Sequence, residues 1–189
     1  MLFPGAPLPL HIFEPRYREL VAECLLQKTP FGLVRSRESA LAEVGCTAAI
    51  VSVTKKYEDG RLDIVTEGKQ RFEIEQLNQE RSFLRGEVAF FEDEPSQVSQ
   101  SDANTVIQLH QQLFEVLGQH VEVERSYPSL SFQLANELPV DLDFKQTILE
   151  MKSEAERIDT LIEYYRATIP KVELTLRARD KASGNGHIR

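Results

Sequence analysis

Residues 1–20, MLFPGAPLPLHIFEPRYREL, change once from a proline-rich apolar segment to an amphipathic run, and this change decides how the fold begins. Pro4, Pro7 and Pro9 each fix φ and disfavour helix at the preceding residue, so we expect residues 1–12 to be extended or turn structure. Pro15 suits the first position of a helix, where its missing N–H costs little. Apolar residues then recur on one helical face, which predicts a helix over residues 15–27.

The segments that follow have the short apolar and alternating patterns of strands. The predicted strands cover residues 31–34, 48–57, 61–67, 72–77 and 83–91. Asp59-Gly60 predicts a hairpin with a type I′ turn, which needs two positive φ angles. Gly68 is expected to end the return strand of that hairpin. This half is therefore a mostly antiparallel sheet with one helix, and closing or half-closing it into a barrel would remove its edges.

The second half of the chain is helical in pattern. Residues 92–104 hold no large apolar residue except Val98, which is typical of a linker. Apolar spacing predicts a helix from Val106 to Val121, a shorter one over 130–138, and a third over 148–169 that Pro170 ends. Residues 180–189 have a composition that favours disorder.

Composition narrows the class of protein. The chain has 189 residues, 41% of them hydrophobic and 28% charged, which suits a globular protein. A formal net charge of −8 argues against a non-specific binder of nucleic-acid phosphates. Cys24 and Cys46 lie outside any CxxC motif, which favours a reducing cytoplasm. No apolar run approaches the ~20 residues of a membrane span, so we expect no membrane contact.

The sequence predicts no catalytic, cofactor or metal site. It contains no GxxxxGK[ST], GxSxG or HExxH motif. The histidines are scattered at positions 11, 110, 120 and 187, which does not favour a metal centre. His11 and Glu14 permit an acid–base interpretation, but a local hydrogen bond and a favourable charge at a helix N-terminus explain them better. Arg16 and Arg18 fit a solvated helix face or a clamp on nearby loops, and an acidic ligand is the alternative.

Several motifs, in order along residues 2–175, resemble the Lon protease N-terminal domain family in its small stand-alone branch. They are LFPGAPLPLHIFEPRYREL, Phe31-Gly32-Leu33-Val34, Val44 to Ile50, Asp59-Gly60-Arg61, Glu67 to Phe72, Leu130-Ser131-Phe132 with Ala135, Lys145 to Glu150, and Arg157-Ile158. The segment Val44 to Ile50 departs from the family pattern by a Cys placed before Thr47. A set of motifs in this order is far more specific than any one of them.

This resemblance implies an α+β fold, with a PUA-like, mostly antiparallel β-barrel and one helix followed by an all-α helical bundle. The expected domains are a barrel at 1–92, a linker at 93–104, a bundle at 105–178 and a disordered tail at 179–189. In full Lon proteases this region helps to hold protein substrates, whereas the ATPase and the Ser–Lys peptidase lie in later domains. The resemblance therefore implies a non-catalytic protein that binds polypeptide segments or partner proteins, with a Lon-type protease among the candidate partners.

The motif residues are interpreted mainly as structural, and they are also the candidate site residues. They are Pro9, His11, Phe13, Glu14, Pro15, Arg16, Tyr17, Gly32, Gly45, Gly60, Gly68, Arg71 and Phe72. The glycines suit turns or close backbone approach at strand boundaries. Arg71 is expected to tie loops together, and Phe72 to pack inside.

Two alternatives and one structural expectation complete the interpretation. RNA binding is an alternative because PUA-like barrels in other families bind RNA, but neither half shows a basic strip with interleaved aromatics. A protease-related hydrolase is the other alternative. In family members an apolar strand precedes the FPG turn, so we expect the first barrel strand to be missing or short, or the start to lie upstream. An edge left open in this way could support self-association.

Overall fold

A computed structural model describes residues 1–36, 40–124 and 129–184, with side chains described up to residue 179. The elements are β1 Pro7–Ile12, α1 Pro15–Gln27, β2 Phe31–Leu33, β3 Val44–Lys56, β4 Leu62–Asn78, β5 Arg85–Phe91, α2 Gln100–Val116, α3 Leu130–Glu137, α4 Leu142–Glu150 and α5 Glu154–Gly184. The predicted α+β class is confirmed.

The chain forms two compact units, each built from two stretches of sequence. The first comprises Met1–Glu94 and Tyr127–Lys152, and the second Pro95–Ser126 and Ser153–Arg189. The first unit thus holds the sheet, α1, α3 and α4, while the second holds α2 and α5. The domain limits predicted from sequence divide the chain at other places and stay a prediction.

The sheet of the first unit is antiparallel and is built around β4. Strands β1, β4, β3 and β2 lie in that order, and β5 also pairs with β4. β1 pairs with the first part of β4, from Leu62 to Glu67, and β5 pairs with the second part, from Arg71 to Asn78. Among the described strands no pairing joins the ends of this order, so the sheet is not closed. Of the closed and half-closed barrels expected from the sequence, the closed one is therefore wrong.

β4 is a single strand of 17 residues, so the prediction that Gly68 ends a strand was wrong. A Cβ at Gly68 would lie 2.0 Å from the carbonyl oxygen of Phe3. The Gly68 N–H donates to the Ala6 carbonyl (3.0 Å), and its own carbonyl accepts from Gly5 N–H (2.8 Å). Glycine is needed here for close approach of another backbone, which also permits an uninterrupted strand.

The hairpin at Asp59-Gly60 is present, but its turn type differs from the prediction. Gly60 has φ +86°, whereas Lys28 is the only non-glycine residue with positive φ in the described part of the chain. A type I′ turn is therefore excluded. Gly60 N–H donates to the Tyr57 carbonyl (3.0 Å), and Tyr57 N–H to the Arg61 carbonyl (3.0 Å). This arrangement is typical of a type I turn followed by a glycine bulge.

The helix predicted over 15–27 is confirmed, and Pro15 takes its first turn. The helix predicted over 148–169 was wrong, because α4 ends at Glu150 and Met151 has an extended ψ of 135°. α5 then begins at Glu154, and Ser153 Oγ accepts from Glu156 N–H (3.3 Å). Ser153-x-x-Glu156 is a capping-box sequence, a start signal that the uninterrupted apolar spacing obscured.

Pro170 does not end α5, which continues to Gly184. Both Pro170 and Arg166 are exposed, so water can satisfy the carbonyl that loses its intrahelical donor. Of the tail predicted to be disordered, residues 179–184 are helical, and 185–189 lie outside the described residues.

The core of the second unit lies between α2 and α5. His110 and Tyr165 are fully buried, and His110 Nδ1 lies 2.7 Å from the Tyr165 hydroxyl. The Phe114 ring packs on His110 with centroids 4.8 Å apart. His110 is therefore a hydrogen-bonded core residue.

Candidate functional site

The candidate site is a group of aromatic and charged side chains at the hairpin end of the sheet. We call it the hairpin-end cluster, and it comprises His11, Phe13, Arg16, Tyr17, Lys55, Tyr57, Arg61 and Asp63. β1 supplies His11, which pairs in register with Asp63 on β4. Phe13 follows β1, and the first turn of α1 carries Arg16 and Tyr17. The hairpin between β3 and β4 supplies the remainder.

Asp63 lies at the polar centre of the cluster. His11 Nδ1 lies 2.5 Å from Asp63 Oδ1, and the Tyr57 hydroxyl donates to Asp63 Oδ2 at 2.8 Å. These hydrogen bonds, that from His11 first, hold the pKa of Asp63 below its ordinary value. Asp63 therefore fixes His11 across the ladder between β1 and β4, and it fixes Tyr57 across the hairpin that joins β3 to β4.

Aromatic rings and basic side chains lie next to one another around Asp63. The His11 ring stacks on Phe13 with centroids 6.0 Å apart and meets Tyr57 edge-on at 5.7 Å. Lys55 Nζ and the Arg61 guanidinium lie 4.5 and 4.8 Å from the Tyr57 ring centroid. Contacts at these distances are cation–π interactions, and they hold the basic groups of Lys55 and Arg61 over the Tyr57 ring.

Two aromatic side chains of the cluster remain open to solvent. Phe13 is 59% exposed and Tyr17 is 38% exposed. The Arg16 guanidinium lies 4.6 Å from the Tyr17 centroid and pairs with Glu14 at 2.8 Å. The cluster thus offers apolar ring faces bordered by oriented cations, and such a surface can hold apolar and acidic side chains of a polypeptide.

The structure places seven of the thirteen candidate residues at this end of the sheet: His11, Phe13, Glu14, Pro15, Arg16, Tyr17 and Gly60. Gly60 is connected to α1 because Arg18 donates to the neighbouring Asp59 carbonyl at 2.7 Å. Lys55, Tyr57, Arg61 and Asp63 were missed as site residues. They flank the predicted hairpin, so aromatic and charged residues on facing strands were the available signal.

Gly32, Gly45 and Phe72 form a second group, away from the cluster in sequence and register. A Cβ at Gly45 would lie 2.6 Å from the Phe72 ring, and one at Gly32 would lie 3.0 Å from it. Phe72 is 4% exposed. The two glycines therefore leave room for this ring in the sheet core.

Arg71 is buried and binds backbone. Its guanidinium donates to the carbonyls of Leu149 (2.9 Å) and Met151 (2.5 Å) and to the Asp93 carboxylate. It also lies 4.5 Å from the Phe91 ring centroid. Arg71 thus joins β4 to the end of β5 and to the C-terminal end of α4, all within the first unit.

The remaining candidates lie along β1 and its contact with β4. Pro9 is exposed in β1 opposite Val65. Gly68 contacts the backbone of Phe3, as described above.

Within residues 1–36, 40–124 and 129–184, no group of three or more His, Cys, Asp or Glu side chains could hold a metal ion. His187 lies outside these residues. In the same part of the chain, no helix has both the length and the hydropathy needed to cross a membrane.

Solved structures share this architecture. The chain aligns with the Lon N-terminal domain protein from Xanthomonas campestris at a TM-score of 0.68 and 22% identity, covering 86% of this chain and 92% of that one. It aligns with the N-terminal domain of the Mycobacterium avium complex Lon protease at a TM-score of 0.63 and 16% identity, covering 88% and 92%. The fold is thus that of Lon N-terminal domains.

Sequence comparison assigns the family. A model of the ATP-dependent protease La (LON) substrate-binding domain matches residues 1–166, and the chain belongs to this family. Lon protease of Cytophaga hutchinsonii is 22% identical over 92% of this chain and 24% of its own length. Lon protease of Parabacteroides distasonis is 30% identical over 49% of this chain and 12% of its own length. The chain spans about a quarter or less of the length of these curated relatives.

Proposed function

We propose that this chain is a non-catalytic module that binds polypeptide segments through the hairpin-end cluster. The observation that carries the proposal is the exposure of Phe13 and Tyr17 beside cations that are held over aromatic rings. Large exposed aromatics bordered by charged groups are typical of protein-binding surfaces. The family description, a substrate-binding domain of an ATP-dependent protease, supports the same class of ligand.

The cluster suits extended or unfolded segments that carry apolar and acidic residues. Its ring faces provide apolar contact, and Lys55, Arg16 and Arg61 provide positive charge around them. Arg16 is paired with Glu14 and Arg61 with Asp59, two anions next to the cluster, so binding depends on the rings as well as on the cations. Partner proteins, a Lon-type protease among them, fall within this proposal if they present such a segment.

Binding of fluorescein-labelled β-casein, followed by fluorescence anisotropy, tests this function. We expect the double variant Phe13→Ser/Tyr17→Ser to raise the Kd about tenfold, because two aromatic contacts of ~0.5–1 kcal/mol each are lost. Leu26→Ser is the matched control, because Leu26 is on the helix that carries Tyr17, is 85% exposed and lies outside the cluster. Equal binding by the double variant and the control would refute the role of the cluster.

The non-catalytic part of the proposal has its own test. Incubation with β-casein, with and without ATP, should leave the length of the casein unchanged on a denaturing gel. Cleavage that copurifies with the chain through two chromatographic steps would contradict it.

A further inference from the structure

We propose that the outer edge of β5 binds an extended, alternately apolar and basic polypeptide segment as an added strand. This inference rests on the proposed function, since it names a second element that would bind polypeptide segments. The segment expected here carries basic residues between the apolar ones, whereas the hairpin-end cluster suits acidic ones. It starts from the observation that β1 and β5 both pair with β4, so each has an outer edge.

The direction of the backbone groups on β5 follows from the ladder. Ile74 N–H donates to the Glu43 carbonyl (2.9 Å), just before β3, so Ile74 points its backbone groups away from β5. Val88, which pairs with Ile74, therefore makes no ladder hydrogen bond and points its own N–H and C=O outward. Because the direction of backbone groups alternates along a strand, Gly86 and Phe90 also point their N–H and C=O groups outward.

These outward groups are unused. Within the described residues, Gly86, Val88 and Phe90 make no backbone hydrogen bond outside the ladder with β4. β5 contains no proline, so three N–H donors and three C=O acceptors remain available on this edge. A row of this kind is a template for strand addition.

β1 shows the opposite arrangement. Ala6 accepts from Gly68 N–H and therefore points its carbonyl toward β4, so alternation turns Pro7, Pro9 and His11 outward. Because proline has no N–H, His11 is the only outward donor of β1. β2 is only three residues long and contacts α1. β5 is therefore the edge best suited to receive a strand.

Side chains on β5 indicate the chemistry of the occupant. Phe90 is 57% exposed and packs edge-on against Phe72, while Val88 is half-buried beside it. An added strand would meet these apolar groups on one face and exposed Glu87 on the other. Arg85, which is also exposed on that second face, is the first residue of β5, whereas Glu87 lies next to Val88 in the middle of the edge. Charge complementarity with Glu87, and with a chain of net charge −8, therefore favours lysine or arginine at the polar positions.

A second copy of this chain fits the edge less well. Two-fold antiparallel pairing centred on Val88 would bring the Glu87 side chains of the two copies into diagonal positions, where like charges repel. The net charge of −8 on each copy adds to that repulsion.

The test uses a fluorescein-labelled eight-residue peptide that alternates valine with lysine, and anisotropy at physiological salt. Val88→Pro removes one outward donor and leaves the inward groups of β5 intact, so we expect the Kd to rise at least about tenfold. Val88→Thr keeps the shape and the N–H, and it should change the Kd less than about threefold. A block peptide of the same composition, lysines first, should bind more weakly than the alternating one.

A second measurement decides the matter if Val88→Pro does not fold. The peptide is N-methylated at every second residue in each of the two possible phases, and binding to the wild-type chain is compared. Strand addition predicts that one phase abolishes binding and the other preserves it. Equal effects of the two phases, or equal binding by Val88→Pro and wild type, would overturn the proposal.

Two further outcomes separate this inference from its alternatives. If β-casein binds the wild-type chain but the two phases act equally, strand addition is refuted while the proposed function stands. If neither casein nor the peptide binds, both fail. If sedimentation velocity shows a wild-type dimer that Val88→Pro abolishes, the occupant of the edge is a second copy, and the proposal is overturned.

Discussion

β1 and β5 lie along the same side of β4, yet they present different edges. The outward positions of β1 are Pro7, Pro9 and His11, with a single N–H donor among them. The outward positions of β5 are Gly86, Val88 and Phe90, which carry three. Two prolines thus remove backbone donors from the edge of β1, whereas the edge of β5 keeps its donors for an added strand.

This difference shows that residue types at alternate positions decide whether the edge of a sheet can accept another strand. Both strands are short and both flank the same long partner. Since side chains and backbone groups alternate in direction, only every second residue decides whether an edge can accept another strand. The prolines of β1 close its outer edge without disturbing its ladder with β4, because their missing donors point away from β4.

The largest effect is expected where β5 is anchored. Arg71→Met leaves the carbonyls of Leu149 and Met151 and the Asp93 carboxylate without this donor, and we expect the free energy of unfolding to fall by about 4 kcal/mol. Urea unfolding followed by circular dichroism measures it. Arg85→Met on the exposed end of β5 is the control, with an expected change below about 0.5 kcal/mol. Similar losses for both variants would contradict the anchoring role.

A smaller loss is expected on the β1 side of the comparison. Gly68→Ala would place a Cβ 2.0 Å from the Phe3 carbonyl oxygen, so the segment leading into β1 must shift. We expect a loss of about 3 kcal/mol in the same urea experiment. Gly118→Ala has no neighbour within 4 Å, and its φ of +73° alone should cost about 1 kcal/mol. Equal losses would show that backbone approach at Gly68 is not limiting.

A third variant tests whether the prolines of β1 are what closes its edge. Pro7→Thr/Pro9→Thr restores two outward N–H groups, and we expect the alternating peptide to bind at a second site, with a stability change below about 1 kcal/mol. Isothermal titration calorimetry gives the number of sites. Pro30→Thr, an exposed proline outside β1 in the same unit, is the control and should keep the wild-type stoichiometry. An unchanged stoichiometry in the double variant would mean that prolines are not what closes this edge.

The smallest effect concerns the pair His11–Asp63 at the end of β1. Because the pKa of Asp63 is lowered in the folded chain, its contribution to stability is present above its ordinary value near pH ~4. That contribution is lost as pH falls through the lowered folded pKa. His11→Ala removes the largest cause, so an NMR titration should show the pKa of Asp63 rising toward its ordinary value. His120→Ala, in the second unit, should leave the pKa of Asp63 unchanged. If the pKa of Asp63 in His11→Ala stays as low as in the wild type, this assignment is contradicted.

Much of the fold was predictable where the local signal and the packing agree. Pro15 and the apolar face after it define α1, and Asp59-Gly60 defines the hairpin, because turn chemistry and helical periodicity act over a few residues. The prediction at Gly68 failed because a glycine that ends a strand and one that admits a crossing backbone look alike in sequence. The helix over 148–169 failed because apolar spacing stayed in phase across the break at Met151.

The candidate site was predictable only in part, for a related reason. The motif at 9–17 marks one side of the hairpin-end cluster, but Lys55, Tyr57 and Asp63 join it through strand register. Register depends on pairing across the sheet, which composition and spacing do not specify.

The α+β class, α1, the hairpin and the family were all predictable from the amino-acid sequence, because they depend on local turn and helix chemistry and on the order of the motifs. Strand pairing was needed to establish that β4 runs unbroken through Gly68, that the sheet is not closed, and that Asp63 holds His11 and Tyr57. It also decided that prolines face outward on β1 while free donors face outward on β5. The physical reason is that the direction of a backbone group is set by the pairing of its strand, and pairing joins residues far apart in the chain.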